Sequence, residues 1–410
     1  MTLAKQRQRL AATYREFPRP FWTLVAVTFI DRLGGALLFP FFALYITSKF
    51  GVGMTQVGVL FALFSFSSFI GSMLGGALTD RLGRKGVLIF SLISTSLSSL
   101  IMGFVDSIEA FYTLAMLAGI FTDTGGPAHQ AMTADLLPQE KRAQGYGIIR
   151  VAFNVSVTIG PAIGGFLATR SYLLLFIGDA VISLITAAIV FAALPETKPE
   201  ARPGQPRESV GGTFAGYGRV LRDRLFMLYV GACMLMIFTY MNINTTLGVY
   251  LRDVYAIPES GYGMIISLNA IMVVLFQFPI TRRIEGFPPM LMMAAGTALY
   301  AFGFAMYGFV STYGLFLLAM VIITIGEMLV APVSQALVAK FAPEDMRGRY
   351  MAVFGFSWGI PFAVGPLLAG LILDNLDPRW LWYAAGLVGL LAVSGFLSLH
   401  RRQRLASIPS

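Results

Sequence analysis

Long, continuously apolar segments dominate this chain. Stretches of predominantly apolar residues recur at 21–46, 57–79, 87–105, 109–136, 144–168, 172–194, 226–251, 261–281, 289–309, 312–338, 350–373 and 379–399. A helix needs roughly 20 such residues to cross a hydrocarbon core about 30 Å thick. Backbone groups cannot stay unpaired in hydrocarbon, so each stretch predicts a membrane-spanning helix. A β-barrel would instead show segments of about 10 residues with alternating polarity, which these are not. The fold class expected is therefore an all-α membrane protein of twelve transmembrane helices.

The connections divide the twelve spans into two sets of six. The single long one, residues 195–225, carries Pro195, Pro199, Pro203, Gly204 and Pro206 among several charges. It reads as a polar linker, with a short interfacial helix near Gly216–Arg224. The layout expected is a segment 1–20, a six-helix bundle 21–194, the linker 195–225, a second six-helix bundle 226–399 and a tail 400–410. Residues 1–20 carry Lys5, Arg7, Arg9, Arg15 and Arg19. The apolar stretch behind them is long and contains Asp31 and Arg32, so it reads as a first membrane helix and not as a cleaved signal.

Composition agrees. The chain is 56% hydrophobic and 12% charged, against roughly a quarter charged in soluble domains. The net charge of +9 lies between the apolar stretches and not on one face or tail, which argues against a nucleic-acid partner. Lys and Arg crowd the termini, the even-numbered loops and the central linker, whereas the odd-numbered loops hold only Lys49, Arg170, Arg252 and Arg379. By the positive-inside rule both termini and the linker face the cytoplasm. Cys233 is the only cysteine, and His129 and His400 are the only histidines. No disulfide, zinc site or other metal centre is expected. No phosphate-binding glycine loop with GKS or GKT is present, so ATP-driven transport is not indicated. No catalytic constellation stands out and no cofactor is expected.

Shifted by 205 residues, the sequence falls on itself. Tyr45 meets Tyr250, Gly58 meets Gly263, Pro127 meets Pro332 and Gln130 meets Gln335. Pro138 meets Pro343, Arg142 meets Arg347, Gly160-Pro161 meets Gly365-Pro366 and Gly165 meets Gly370. The two bundles are thus pseudo-symmetric, and six spans each give them the same topology. Parallel halves related by an axis along the membrane normal are a known transporter plan, with the substrate near the midplane.

Two motifs carry a family resemblance. The loop after the second span reads Gly76-Ala-Leu-Thr-Asp80-Arg81-Leu-Gly83-Arg84-Lys85 and resembles the signature loop of the major facilitator superfamily. Gly76 permits close helix contact, Gly83 a tight turn, and Asp80 with Arg81, Arg84 and Lys85 a cytoplasmic gate. The matching loop of the second half, Thr281-Arg282-Arg283-Ile-Glu285-Gly286, is degenerate. The fifth span carries Gly147, Ser156, Gly160, Pro161, Gly164 and Gly165. It resembles the antiporter motif of the drug–proton exporters of that superfamily, with Ser156 where the motif has Gly. Small residues there let the helix pack tightly against a neighbour across the two halves, and Pro161 can kink it. An arginine found in the middle of the fourth span of proton-linked exporters is absent, and Asp123 stands nearby. The resemblance implies the major facilitator fold and a monomer in a bacterial plasma (inner) membrane. It implies proton-coupled export of a small amphipathic substrate. The same fold would also serve a lipid or glycolipid translocator, a solute symporter, or a non-transporting receptor or assembly factor.

Ionisable residues inside spans are costly and point to function. Asp31 and Arg32 lie about ten residues into the first span, near the midplane at 1.5 Å per residue. Asp123 and Glu327 reach similar depth on the fourth and tenth spans, and Thr122 is the mate of Glu327 under the 205 shift. In the superfamily the first, fourth, seventh and tenth helices line the central cavity. Glu327, Asp31 and Asp123 are therefore the proton-coupling candidates. Arg32 is a substrate-binding candidate, with Asp123 or an anionic substrate group as its partner. Tyr240, Asn242, Asn244, Asn269 and Gln277 could bond a substrate or other helices. Asp135, Arg142 and Arg150 join the cytoplasmic gate, whereas Asp179 reads as a structural or peripheral group and His129 as a packed residue of the fourth span.

Overall fold

The computed structural model describes residues 14–198, 217–284, 286–343 and 346–406. The described residues are helical and contain no strand, and eleven helices are long and apolar enough to cross a membrane. The twelfth crossing, the fourth in the chain, is made of two pieces, Ile108–Thr122 and Gly125–Leu136. The architecture is that of twelve membrane helices in two six-helix sets. The expected linker helix begins at residue 217 and runs to 222; most of the linker lies outside the described residues.

Three spans break, each for a readable reason. The fourth was expected to run unbroken from 109 to 136. Pro127 has no N–H to give the carbonyl of Asp123. That carbonyl accepts from Gly126 N at 3.4 Å instead, and the freed Thr122 carbonyl accepts from the Ser91 hydroxyl. The first span bends at Pro40, giving Arg19–Leu38 and Phe42–Phe50 on either side of a tight turn. The seventh divides into Arg224–Tyr240, Asn242–Thr245 and Leu247–Tyr255. There Asn242 donates to Phe238 O and accepts from Thr246, satisfying the interruption from within.

By compactness the chain forms two units, residues 1–39 with 63–202, and 40–62 with 203–410. The bend at Pro40 is thus a unit boundary, and the second span, Met54–Leu82, begins in one unit and ends in the other. In the first unit Leu24, Val27, Val87, Leu88, Leu92, Ala128, Met132, Ala187 and Val190 form a core between the first, third, fourth and sixth spans. Lipid tails are as apolar as leucine, so close packing must replace the hydrophobic force that drives helices together in water. Glycines supply it: a Cβ at Gly71 would sit 2.2 Å from Ile120 O, and one at Gly75 2.4 Å from Thr124 O. The second unit uses the same device at the Gly296 and Gly326 crossing of the ninth and tenth spans. It adds an aromatic cluster of Tyr250, Phe304, Tyr307, Phe316 and Trp382.

The repeat reaches the backbone. Gly51, after the first span, takes a left-handed φ of 63°. Its mate 205 residues on, Ala256, ends the seventh span at φ 53°, the single non-glycine positive φ among the described residues.

Candidate functional site

In the second unit the seventh, eighth and tenth spans converge on Glu327. Its Oε1 accepts from the Tyr240 hydroxyl at 3.0 Å and its Oε2 from Asn269 Nδ2 at 2.8 Å. Asn269 Nδ2 also donates to Thr324 Oγ1 at 3.0 Å. The Tyr240 ring packs against Tyr300, 5.4 Å between centroids, and edge-on to the exposed Trp358. No basic side chain among the described residues pairs with this carboxylate. Its contacts are neutral donors and rings, the setting in which a carboxyl can exchange a proton without breaking an ion pair. Tyr240 stands at the end of the Arg224–Tyr240 segment, so the break in the seventh span places it.

Three of the polar residues expected here do not join. Asn242 spends its amide on Phe238 O and Thr239 O. Gln277 donates to Thr281 Oγ1 and Met328 O, tying the eighth span to itself and to the tenth. Asn244 makes no side-chain bond to the cluster. Sequence reading missed Tyr300 and Trp358, because an aromatic residue in a membrane helix carries no signal that separates a site wall from ordinary filling.

The first unit holds a second set of charges. Arg32 Nε lies 3.7 Å from Asp31 Oδ2, and its guanidinium sits 5.8 Å from the Phe153 ring centroid. Asp123 or an anionic substrate group was the expected partner of Arg32; within the protein the ion pair is formed with Asp31, although the charge of Arg32 is felt at Asp123. Flexible guanidinium geometry lets a residue pair with its chain neighbour even though the two diverge around the helix. The Ser68 hydroxyl approaches Asp123 without completing a hydrogen bond. His129 Nε2 and Thr28 Oγ1 are 2.7 Å apart, joining the fourth span to the first.

The loop after the second span is built around Arg84. Its Nε donates to Asp135 Oδ2 at 2.9 Å and its Nη1 to Thr79 O at 3.1 Å. Gly83 has φ 106°, so the turn requires glycine. Lys85 Nζ reaches Phe191 O at 2.7 Å, and Lys198 Nζ reaches Arg81 O at 2.7 Å. Arg142 Nε caps the end of the fourth span through Ala134 O and Leu137 O. Arg150 is exposed and forms no ion pair among the described residues, and the Asp80 side chain lies outside them. Gly76 meets nothing within 4 Å; the close contact expected there falls on Gly75 and Gly71, the i, i+4 pair that faces the fourth span. Glu196 was missed altogether. Its carboxylate accepts from Arg84 N at 2.8 Å and Lys85 N at 3.1 Å, closing the start of the third span. Partial burial pushes its carboxyl up, but the amides of Arg84, Lys198, Lys85 and Thr197 outweigh this and hold it below the ordinary glutamate value.

On the fifth span, Ser156 is fully buried and donates to Phe29 O at 2.7 Å and Ala152 O at 3.0 Å. A Cβ at Gly160 would lie 2.4 Å from Ala36 Cβ. The motif therefore packs on the first span of its own unit, and the serine that departs from it adds an interhelical bond. Pro161, Gly164 and Gly165 are buried, while Gly147 meets nothing.

At the opposite end of the membrane helices, residues 41–62 are tied to the spans of the second unit to which they belong. Asp374, ending the eleventh span, accepts from Met54 N at 2.9 Å and Thr55 N at 2.7 Å, capping the second span from another helix. Arg252 donates to Leu44 O, Ser48 Oγ and Thr47 Oγ1. A Cβ at Gly58 would lie 2.3 Å from Leu367 Cα.

The Major Facilitator Superfamily model matches residues 24–258 and 234–410. The chain belongs to the major facilitator superfamily. It is a transporter of that superfamily and not an enzyme. A Na(+), Li(+), K(+)/H(+) antiporter of Planococcus maritimus is 28% identical over 397 residues, covering 88% of this chain and 91% of its own. The multidrug resistance protein MdtH of Shigella flexneri is 23% identical over 363 residues, covering 87% of this chain and 88% of its own. Among solved structures, a POT family transporter in complex with 5-aminolevulinic acid superposes with TM-score 0.77 at 15% identity, covering 94% and 96% of the two chains. At that identity the likeness speaks for the fold alone.

Proposed function

We propose that this superfamily member is a proton-coupled exporter of lipophilic or amphipathic small molecules, working by alternating access with both termini in the cytoplasm. The observation that carries the reading is Glu327, a membrane-embedded carboxylate held by Tyr240 and Asn269 with no cation beside it. An intramembrane acid without a counter-charge is stable when protonated and is destabilised when ionised. Facing one side it takes a proton; facing the other it releases it, and the substrate moves in the opposite sense. The Tyr240, Tyr300 and Trp358 rings beside it suit an apolar cargo. The small-residue motif of the fifth span and the likeness to an antiporter of Planococcus maritimus support antiport, and the likeness to a multidrug resistance protein supports a drug-like cargo. The Arg84, Asp135 and Glu196 cluster serves as the cytoplasmic gate, and the Asp374 and Arg252 ties hold the outer ends of the first and second spans.

A second reading, exchange of monovalent cations for protons, is favoured by the likeness to the Planococcus antiporter. Everted membrane vesicles separate the two. Under the first, an imposed pH gradient drives uptake of fluorescent lipophilic cations. Glu327→Gln abolishes gradient-driven uptake yet permits substrate exchange. Uphill transport that survives in Glu327→Gln removes Glu327 from the coupling step, and absence of any proton-dependent flux of amphiphiles refutes the exporter reading. Flipping of headgroup-labelled lipid would favour a translocator.

A further inference from the structure

Asp179, on the sixth span, is 5% exposed and carries an acid into the interior of the first unit. One of its carboxylate oxygens accepts from the Ser99 hydroxyl of the third span. The other faces the first span, where a Cβ at Gly34 would lie 2.6 Å away; the glycine leaves the room this oxygen occupies. Asp31 lies three residues before Gly34, and its charge acts on Asp179. Two acids on neighbouring helices thus lie close together, Asp179 buried and Asp31 27% exposed at its side chain.

The cations nearby do not neutralise it. Arg32 lies 3.7 Å from Asp31, is 54% exposed, and turns its guanidinium toward Phe153 on the fifth span. The third span carries Arg84 and Lys85 only at its far end, and the sixth span carries no cation between Leu173 and Ala193. Asp123 and His129, the titratable groups of the fourth span nearest Arg32, add no positive partner to Asp179. Two carboxylates and one loosely placed guanidinium leave a net charge of about −1, and a buried uncompensated charge is costly.

Ser183 is the independent sign of a ligand. It is fully buried, and its hydroxyl has no hydrogen-bond partner. At 3.6 residues per turn it lies about 40° around the sixth helix from Asp179 and about 60° from Ala180. The Asp179 side chain and the Ala180 backbone carbonyl accept from Ser99 and Ser96 of the third span, which places Ser183 on the helix face between them. Helical Cβ atoms tilt toward the N-terminus, which leans Ser183 back over Asp179. The first and sixth spans run antiparallel with Gly34 beside Asp179 and Ile182, so Asp31 is level with Ser183.

We propose that Asp31, Asp179, Ser99 and Ser183 form a binding site for a small monovalent cation, Na⁺ or Li⁺, that competes with protons. Hard cations take oxygen ligands, and two carboxylate and two hydroxyl groups supply them. With Arg32 beside Asp31 the net charge is about −1, which a single monovalent ion neutralises and a divalent ion would overshoot. Ion and proton occupy the site in turn, because each neutralises the same pair of acids. The role of this exchange in coupling rests on the antiport reading, but the binding itself does not.

The test is thermal unfolding of the purified full chain in detergent, in LiCl or NaCl against N-methylglucamine chloride at equal ionic strength. Binding to the folded state raises the midpoint in a saturable way. The midpoint of the wild type should rise by several degrees with Li⁺ or Na⁺, and the half-saturating concentration should increase as pH falls. Asp179→Asn should lose the shift, and Ser183→Ala should weaken binding about five- to tenfold, as loss of one ligand oxygen would. Each variant is compared with itself in N-methylglucamine, so a change in its basal stability does not enter. If Asp179→Asn does not fold, the Ser183→Ala titration alone decides. No cation-specific shift in the wild type, a shift retained in full by both variants, or a shift produced by Mg²⁺ or Ca²⁺ but not by Na⁺ or Li⁺ overturns the site. A specific shift without drug flux refutes the exporter reading and leaves the site standing; flux without a shift does the reverse.

Discussion

The Asp374 tie makes a quantitative prediction. Asp374 lies at the end of the eleventh span yet caps the first two amides of the second, Met54 N and Thr55 N, at 2.9 and 2.7 Å. A helix begins with orphan N–H groups and partial positive charge, so the carboxylate acts as an N-cap supplied from a different helix. Its side chain is exposed, which argues for the ordinary value of a cap, about 1 kcal/mol lost on replacement by Ala. That energy is present only while residues 41–62 rest on the eleventh span. Asp374→Ala should therefore raise the population in which this face is open about fivefold. Asp374→Asn keeps an acceptor but loses the charge, and should fall between the two. Gly58→Val acts on the same face by a different route. Its Cβ would meet the backbone of Leu367 at 2.3 and 2.5 Å, and backbone cannot step aside. Carbon contacts are favourable only from about 3.5 Å, so the helices must part by more than about 1 Å. The native Cys233 is buried, so one introduced cysteine reports alone. Val249, 4% exposed in the seventh span, is the position of choice. When opening is rare and fast, maleimide labelling of Val249→Cys is proportional to the open population. Equal labelling rates with Asp374 and with Ala at 374, in folded protein, would refute the idea that this carboxylate holds the face shut.

Other substitutions probe the remaining parts. Ser156→Gly restores the antiporter motif but deletes the bond to Phe29 O, and should lower stability by about 1 kcal/mol, read as a lower unfolding midpoint; an unchanged midpoint would show that the bond contributes nothing. Gly75→Leu should abolish correct folding by size-exclusion profile because Thr124 backbone lies 2.4 Å from its Cβ, whereas Gly76→Leu, with open space around it, should be tolerated. Ala256→Gly should stabilise by up to about 1 kcal/mol, because alanine at φ 53° bears a left-handed penalty that glycine does not. Glu196 is held below its unfolded value by amides, so its stabilising effect is present above the unfolded glutamate pKa and is lost as pH falls through the lower folded one. Glu196→Gln should remove that pH dependence from the unfolding midpoint, and a wild-type acid profile that survives the substitution would exclude Glu196 as its source.

The sequence revealed the features that follow from periodicity and from residue chemistry at short range. Twelve apolar runs give twelve crossings because hydrocarbon permits little else, and the mates Gly51 and Ala256 show the repeat extending to backbone conformation where side chains have diverged. The turn at Gly83 was legible because a single residue type fits φ 106°. Positions whose role depends on a partner far along the chain were not legible. Glu196 reads as a loop acid until the start of the third span is placed under it. Asp374 reads as a helix-end charge until Met54 arrives from 320 residues away. Asp179 reads from sequence as structural or peripheral; what changes its meaning is Gly34 making room for it, Asp31 acting on it, and Ser183 left without a partner one turn away. Conversely Asn242 and Gln277 looked like ligands for a substrate because an amide in an apolar helix must bond something, and the helices themselves turned out to be that something. The dividing line is physical. A polar group in hydrocarbon must be satisfied, and sequence states the demand but not the supplier. Where the helices supply a full partner the residue is architecture, and where they leave a carboxylate without a counter-charge, as at Glu327, or a buried hydroxyl without a bond, as at Ser183 beside Asp179, the missing partner is what we propose the transporter binds.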